Sequence, residues 1–215
     1  MPEKKICALT FDDGPSAETE KILDLLEKYH FSASFFVSGG SLDVYAQTIM
    51  RAKSLGCTFE NHIWKHTKLS DLPDKSSVLG YYYAAQYAIT KACGEEPQFV
   101  RLPGCASNDL VYETIPLPMI RGYIGNDWNS KEEDPATTNL ENRVRSIIDS
   151  SANGNILLMH DCIGNHLTPT ALEIALPKLV ADGFTFVNIR KFFEIFNIKP
   201  QPHIKGQWNS KDIIK

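Results

Sequence analysis

The sequence predicts an α/β fold in which a parallel sheet is covered by helices, either doubly wound or closed as a barrel. Two observations carry that expectation. Short apolar runs alternate with helical stripes along all 215 residues. The runs are apolar at successive positions rather than at every second one, as strands buried on both faces require. No repeat, low-complexity tract or linker interrupts the alternation, so residues 1–215 read as a single domain.

The strand candidates, about seven in all, are ICALTF (6–11), ASFFVS (33–38), CTFEN (57–61), QFVRL (98–102), IRGYIG (120–125), NILLMH (155–160) and FTFVNI (184–189). Between the first two, Ile22, Leu25, Leu26 and Tyr29 repeat at helical spacing and give one buried face. Leu140, Val144, Ile147 and Ile148 do the same later in the chain. A third helix should start at TPTALE, with Thr168 as cap, Pro169 at the first helical position and Leu172, Leu176 and Leu179 turned inward. Pro177 is expected to kink or shorten it.

Hydrophobic residues make up 43% of the chain and charged ones 22%, with a net charge of -4 and no long run of like charge, which argues against a nucleic-acid or acidic-membrane partner. No stretch is long and apolar enough to span a bilayer, and MPEKK does not resemble a signal peptide. The five cysteines are odd in number and form no CxxC pair, so free thiols in a reducing or anaerobic setting are expected, with Cys7 and Cys57 as small buried hydrophobes. Cys105 and Cys162 each follow a polar motif and are expected to approach one another.

Ligand sites in parallel α/β folds lie beyond the carboxyl ends of the strands. Polar residues gather there in this sequence: Asp12 and Asp13 after the first strand, Asn61, His62 and His66 after the third, Arg101 at the end of the fourth, Asp127 and Trp128 after the fifth, and His160 and Asp161 at the end of the sixth. His62 and His66 are four apart, a spacing that stacks two imidazoles on a helical turn. Two such nitrogens with one carboxylate oxygen are a common set for a catalytic zinc-type ion. With one aspartate of the Asp12–Asp13 pair on the cation, the other is free to take a proton from a water the metal activates, held ionised by Arg101. His160, expected on the far side of the ring, has the pKa range to return a proton to a leaving group. Together these parts point to metal-assisted hydrolysis of an acyl bond.

The motifs resemble those of the polysaccharide deacetylases, the family 4 carbohydrate esterases with a NodB-homology domain. TFDDGP (10–15) matches the first family motif, and NHIWKH (61–66) resembles the second, usually H-[ST]-x-x-H. RLPG (101–104) resembles the third and NDW (126–128) the fourth, while LMH (158–160) matches the fifth. The stretch from GNDW to DGFTFV looks closest to the acetylxylan-esterase branch. The resemblance implies a distorted (β/α) barrel of about seven parallel strands. It implies Asp12 as general base, Asp13, His62 and His66 as ligands of one zinc- or cobalt-type ion, Arg101 orienting Asp12, and His160 as general acid. The Gly104 N–H would stabilise the oxyanion, and Trp128 and Leu158 would wall the acetyl pocket. The implied partner is an acetylated polysaccharide (chitin, peptidoglycan or acetylxylan), met by a monomer that is secreted or cell-wall associated after losing its export signal, with a cytoplasmic location as the alternative.

The departures from the family pattern are local. Ile63 stands where a Ser or Thr hydroxyl is usual, Leu102 and Gly104 replace a proline and an aromatic residue, and Ile124 takes the leading Asp position of the fourth motif. The acid that tunes His160 is expected to be Asp127, with Asp134 as second candidate. Trp64 and Tyr81 to Tyr83 are candidates to stack on sugar rings, or are simply helix residues partly in the core. Two other function classes compete: a sugar-binding module that has kept the scaffold without catalysis, and a barrel hydrolase of small amides.

Overall fold

The computed structural model of the chain describes residues 4–40, 42–124, 140–204 and 208. Six parallel strands form one sheet: β1 (Lys5–Asp12), β2 (Ser34–Val37), β3 (Thr58–Asn61), β4 (Tyr123–Ile124), β5 (Ile156–His160) and β6 (Phe184–Val187). Their order is β3-β2-β1-β5-β4, with β6 paired to the Lys5–Ala8 half of β1. The helices are α1 (Ala17–Tyr29), α2 (Ala46–Ser54), α3 (Lys75–Cys93), α4 (Asp109–Thr114), α5 (Leu140–Ser150), α6 (Leu167–Ala181) and α7 (Ile189–Ile195). The α/β class and the parallel sheet are as the sequence predicts.

The sheet is buried on both faces, which is why its strands lack polar alternation. One face of β1 carries Cys7, Leu9 and Phe11, which pack with Phe35, Phe59, Leu157 and Met159 against α1 and α6. The other carries Ala8, which joins Phe36, Ile120 and Ile156, closed off by Ile189, Phe192 and Phe193 of α7. On this inner face Thr10 and Asp12 follow Ala8, so the second face turns polar towards the strand ends.

Among the described residues six strands form, against the seven or so expected. The segment 98–102 contributes only Val100, bridged to Asn61 on one side and Met119 on the other. Its first two amides are taken by a side chain: Glu60 Oε2 accepts from the N–H of Gln98 at 2.8 Å and of Phe99 at 3.1 Å. Arg190 holds the other oxygen of this fully buried carboxylate at 2.7 Å. A single ladder position therefore remains before Pro103. The chain from Met119 runs on into β4, which pairs with β5.

Local signals set most helix ends. Ser16 caps α1, its Oγ accepting from the Glu18 N–H while its own N–H donates to Thr19 Oγ1. Asp74 caps α3 by accepting from the Ser77 N–H at 2.8 Å, and Gly94 ends that helix at φ 72°. The expectation for α6 needs correcting. Its cap position is His166, and Thr168 lies inside the first turn, buried, where its Oγ1 accepts from Arg143 Nη1. Pro177 does not end the helix, which runs on to Ala181. Leu172, Leu176 and Leu179 are buried as expected, and that apolar face outweighs the one amide donor lost at Pro177.

Candidate active site

The first strand delivers its two aspartates in opposite settings. Asp12, 3% exposed, is the last residue of β1 and faces the inner side, in register with His160 of β5. The two are neighbours across one ladder, not on far sides of a ring. Asp13 leaves the strand at φ 74°, a left-handed conformation uncommon outside glycine, and this turns its carboxylate away from that of Asp12.

Arg101 is fully buried and spans the inner face beneath the site. Its Nη1 donates to Asp12 Oδ1 at 2.7 Å and to Thr10 Oγ1 at 2.9 Å, its Nε donates to the Ile120 carbonyl, and its Cζ lies 4.0 Å from the Phe36 ring centroid. Nη2 has no hydrogen-bond partner among the described residues. The guanidinium thus sets a permanent positive charge directly against a buried carboxylate.

His62 and His66 come together by a route other than the expected helical turn. Ile63, Lys65 and His66 all have positive φ (63°, 53° and 53°), so the backbone kinks between the histidines. For a β-branched residue such as Ile63 this costs about 1–3 kcal/mol. Its side chain is buried with Leu69, Val78 and Tyr82, and its N–H donates to Asn61 Oδ1 at 2.8 Å. Apolar packing and Asn61 thus support the loop where the family usually has a hydroxyl. His62 Nδ1 donates to the Arg101 carbonyl at 2.9 Å, since a carbonyl can only accept. That fixes the ring and aims Nε2 at Asp13.

Asp13 Oδ1 lies 3.3 Å from His62 Nε2 and 3.5 Å from His66 Nε2. Metal–ligand bonds of about 2.0–2.1 Å in tetrahedral array require donor-to-donor edges of about 3.3 Å. The three donors therefore fit a divalent ion, and among the described residues they are the one such cluster. Burial alone would raise the Asp13 carboxyl, but the hydrogen bond and charge of His62, with the charges of His66 and His160, hold it down at about 2.

These groups share one cavity of about 540 Å³, into which Gly104, Leu158 and His160 also face. Asp127, Trp128 and Asp134 lie outside the described residues. Cys105 and Cys162 line the same cavity, both half-buried. Cys7 and Cys57 are core residues, as expected. Trp64 instead lines a second cavity with Gly39, Asp43 and Tyr87, while Tyr82 is buried in α3 and Tyr83 is exposed.

Two groups were not singled out in the sequence, and a third lies elsewhere than expected. Lys68 and Arg121 line the catalytic cavity. Asp161, expected on the rim, is fully buried behind the 12–16 loop. It accepts from the Gly14 N–H at 3.1 Å and from the Thr19 hydroxyl at 2.6 Å, and a Cβ on Gly14 would come 2.0 Å from its Oδ2. The glycine of DDGP is thus required by close approach to Asp161. Burial chiefly, with the charges of Asp13 and Asp12, pushes this carboxyl up to about 7 despite the Thr19 hydrogen bond.

Comparison with known proteins places this arrangement in context. The family model described as polysaccharide deacetylase matches residues 1–116. The chain is 34% identical over 209 residues to a bifunctional xylanase/deacetylase of Pseudobutyrivibrio xylanivorans, covering 97% of this chain but only 34% of that protein. It thus spans about a third of this curated relative. Among solved structures, the Xyl-CE4 domain of a multidomain xylanase from the Trinervitermes trinervoides hindgut metagenome superposes with a TM-score of 0.89 at 30% identity, covering 97% of this chain and 99% of that one. A family 4 acetyl xylan esterase from Clostridium thermocellum, in complex with a cobalt ion, superposes with a TM-score of 0.87 at 30% identity over 95% of this chain and 98% of that one.

Proposed function

The chain belongs to the polysaccharide deacetylase family, and on that premise we propose that residues 1–215 form one catalytic domain that hydrolyses acetyl groups from a polysaccharide. The observation that carries this reading is the meeting in one cavity of Asp12, paired with Arg101 buried beneath it, and the Asp13–His62–His66 cluster. A sugar-binding module has no use for a buried, charge-compensated carboxylate beside a cation site.

Asp13, His62 and His66 would hold a divalent cation, zinc or cobalt, which would polarise the acetyl carbonyl and acidify water. Asp12, aimed by Arg101, accepts the proton of the attacking water. The Gly104 N–H donates to the oxygen on which negative charge develops. His160, one strand away from Asp12, donates a proton to the departing sugar oxygen or nitrogen. Leu158 walls the cavity beside it, while the tuning acid Asp127 and the second wall Trp128 rest on the motif resemblance alone.

One relative named above is an acetyl xylan esterase and the others are a bifunctional xylanase/deacetylase and a domain of a xylanase, which favours O-acetylated xylan over chitin or peptidoglycan as substrate. Acetate release from acetylxylan, chitooligosaccharide and peptidoglycan, measured in parallel with and without chelator, tests this. Chelator-sensitive release that is fastest from acetylxylan is expected. Release from none of the three, with zinc or cobalt supplied, would refute it.

A further inference from the structure

Two cations in the catalytic cavity have no role in the chemistry above. Lys68 and Arg121 are both exposed and line the same 540 Å³ space as Asp12 and Asp13. Both cavity carboxylates are already committed, Asp12 to Arg101 and Asp13 to the histidine cluster. Among the described residues neither Lys68 nor Arg121 has a carboxylate within ion-pair distance, and the one side-chain partner of Arg121 is the Cys105 thiol, whose pKa burial raises, so it brings no counter-charge.

Their placement is built by the backbone. Gly104 sits at φ 60° with no side chain, and a Cβ there would lie 3.7 Å from Lys68 Cε, so the lysine stem covers the space that residue leaves vacant. Lys68 is anchored by Leu69, which is fully buried next to it. Arg121 is held on its own segment by its N–H, which donates to the Trp208 carbonyl at 2.8 Å. A neutral acetylated sugar filling the cavity would strip water from both cations and return no counter-charge.

We propose that Lys68 and Arg121 form an anion subsite that selects acetylated saccharides carrying a carboxylate close to the acetyl group. The inference rests on the deacetylase reading and names its substrate class. Two glycan groups supply that chemistry, a uronate side group and a lactyl ether on an amino sugar, and both are met by the same paired cations.

The test uses matched substrates: acetylated oligosaccharides bearing a uronate or a lactyl carboxylate, each beside its carboxyl-reduced twin, with the full chain and a divalent ion. The kcat/KM ratio of acid to reduced twin should be about fivefold or more, the size expected of one or two exposed ion pairs. It should fall towards unity in about 0.5 M salt. Lys68→Met and Arg121→Met should each lower the ratio and Lys68→Glu should reverse it, while Lys91→Met, away from this cavity, should not change it. Which of the two acids shows the larger ratio identifies the source. Equal turnover of acid and reduced twin would overturn the subsite and leave deacetylation standing. If no substrate releases acetate, calorimetric titration of the same twins decides: tighter binding of the acid, lost in Lys68→Met, upholds the subsite, and equal affinities overturn it.

Discussion

Replacing Asp161 by Asn should make the metal-free protein more stable at neutral pH while changing little in mild acid. The folded state holds the Asp161 proton up to about pH 7, whereas an unfolded aspartate releases it near 3.8. Between those values the native state binds one proton more than the unfolded chain, so stability falls as pH rises. Three pH units at about 1.4 kcal/mol each give a loss of about 4 kcal/mol, complete by about pH 7. The side chain is fully buried, so solvent screening does not discount the figure. Asparagine is neutral throughout, keeps an oxygen for the Gly14 N–H and can donate to Thr19 Oγ1 in place of the protonated acid. Asp13, held down at about 2, has the opposite sign and acts below this window. Urea unfolding of both proteins in chelator, at several pH values from about 4.5 to 8, reads the difference directly. Parallel curves, or a variant less stable than the parent at neutral pH, would refute the reasoning. A divalent ion should shrink the gap, because the charges of Asp13 and Asp12 are among the causes of the raised pKa.

Asp12→Asn should lower acetate release by about two to four orders of magnitude with the fold retained, checked by kcat and circular dichroism. His66→Ala removes a half-exposed member of the proposed metal cluster, so competition with a chromogenic chelator should show metal affinity down at least about tenfold, with apo-protein stability nearly unchanged. Removing the guanidinium in Arg101→Met leaves Asp12 buried without a counter-charge and should cost about 3–5 kcal/mol in urea unfolding. Glu60→Ala strands the Gln98 and Phe99 amides and the Arg190 guanidinium, and the same assay should show a loss of similar size.

Much of the site was legible because its motifs sit at strand ends and the strands announce themselves. TFDDGP follows an unbroken apolar run, and that run is β1. His62, Arg101 and His160 could be placed on one rim from strand positions alone. Other parts resisted for physical reasons. The spacing of His62 and His66 suggests a helical turn, yet positive φ at Ile63 and Lys65 builds a different one, stabilised by core contacts that the spacing does not record. The apolar segment QFVRL has a strand's composition, but Glu60 takes two of its amides first. Thr168 has a cap's composition and lies one residue inside the helix, on the guanidinium of Arg143.

By itself the sequence determined the α/β class and the rim on which the polar residues gather, and the motif resemblance supplied the proposed base, its arginine and the three proposed metal donors. These are properties of short stretches, set by periodicity and motif. Only the tertiary structure decided which carboxylate lies buried and which cations share the cavity. Asp161 reaches Gly14 across 147 positions of chain, and Lys68 meets the space beside Gly104 only after two loops have packed. Burial and the distance between charges arise from packing, so a carboxyl or an amine that looks ordinary in sequence takes its role from the neighbours that folding supplies.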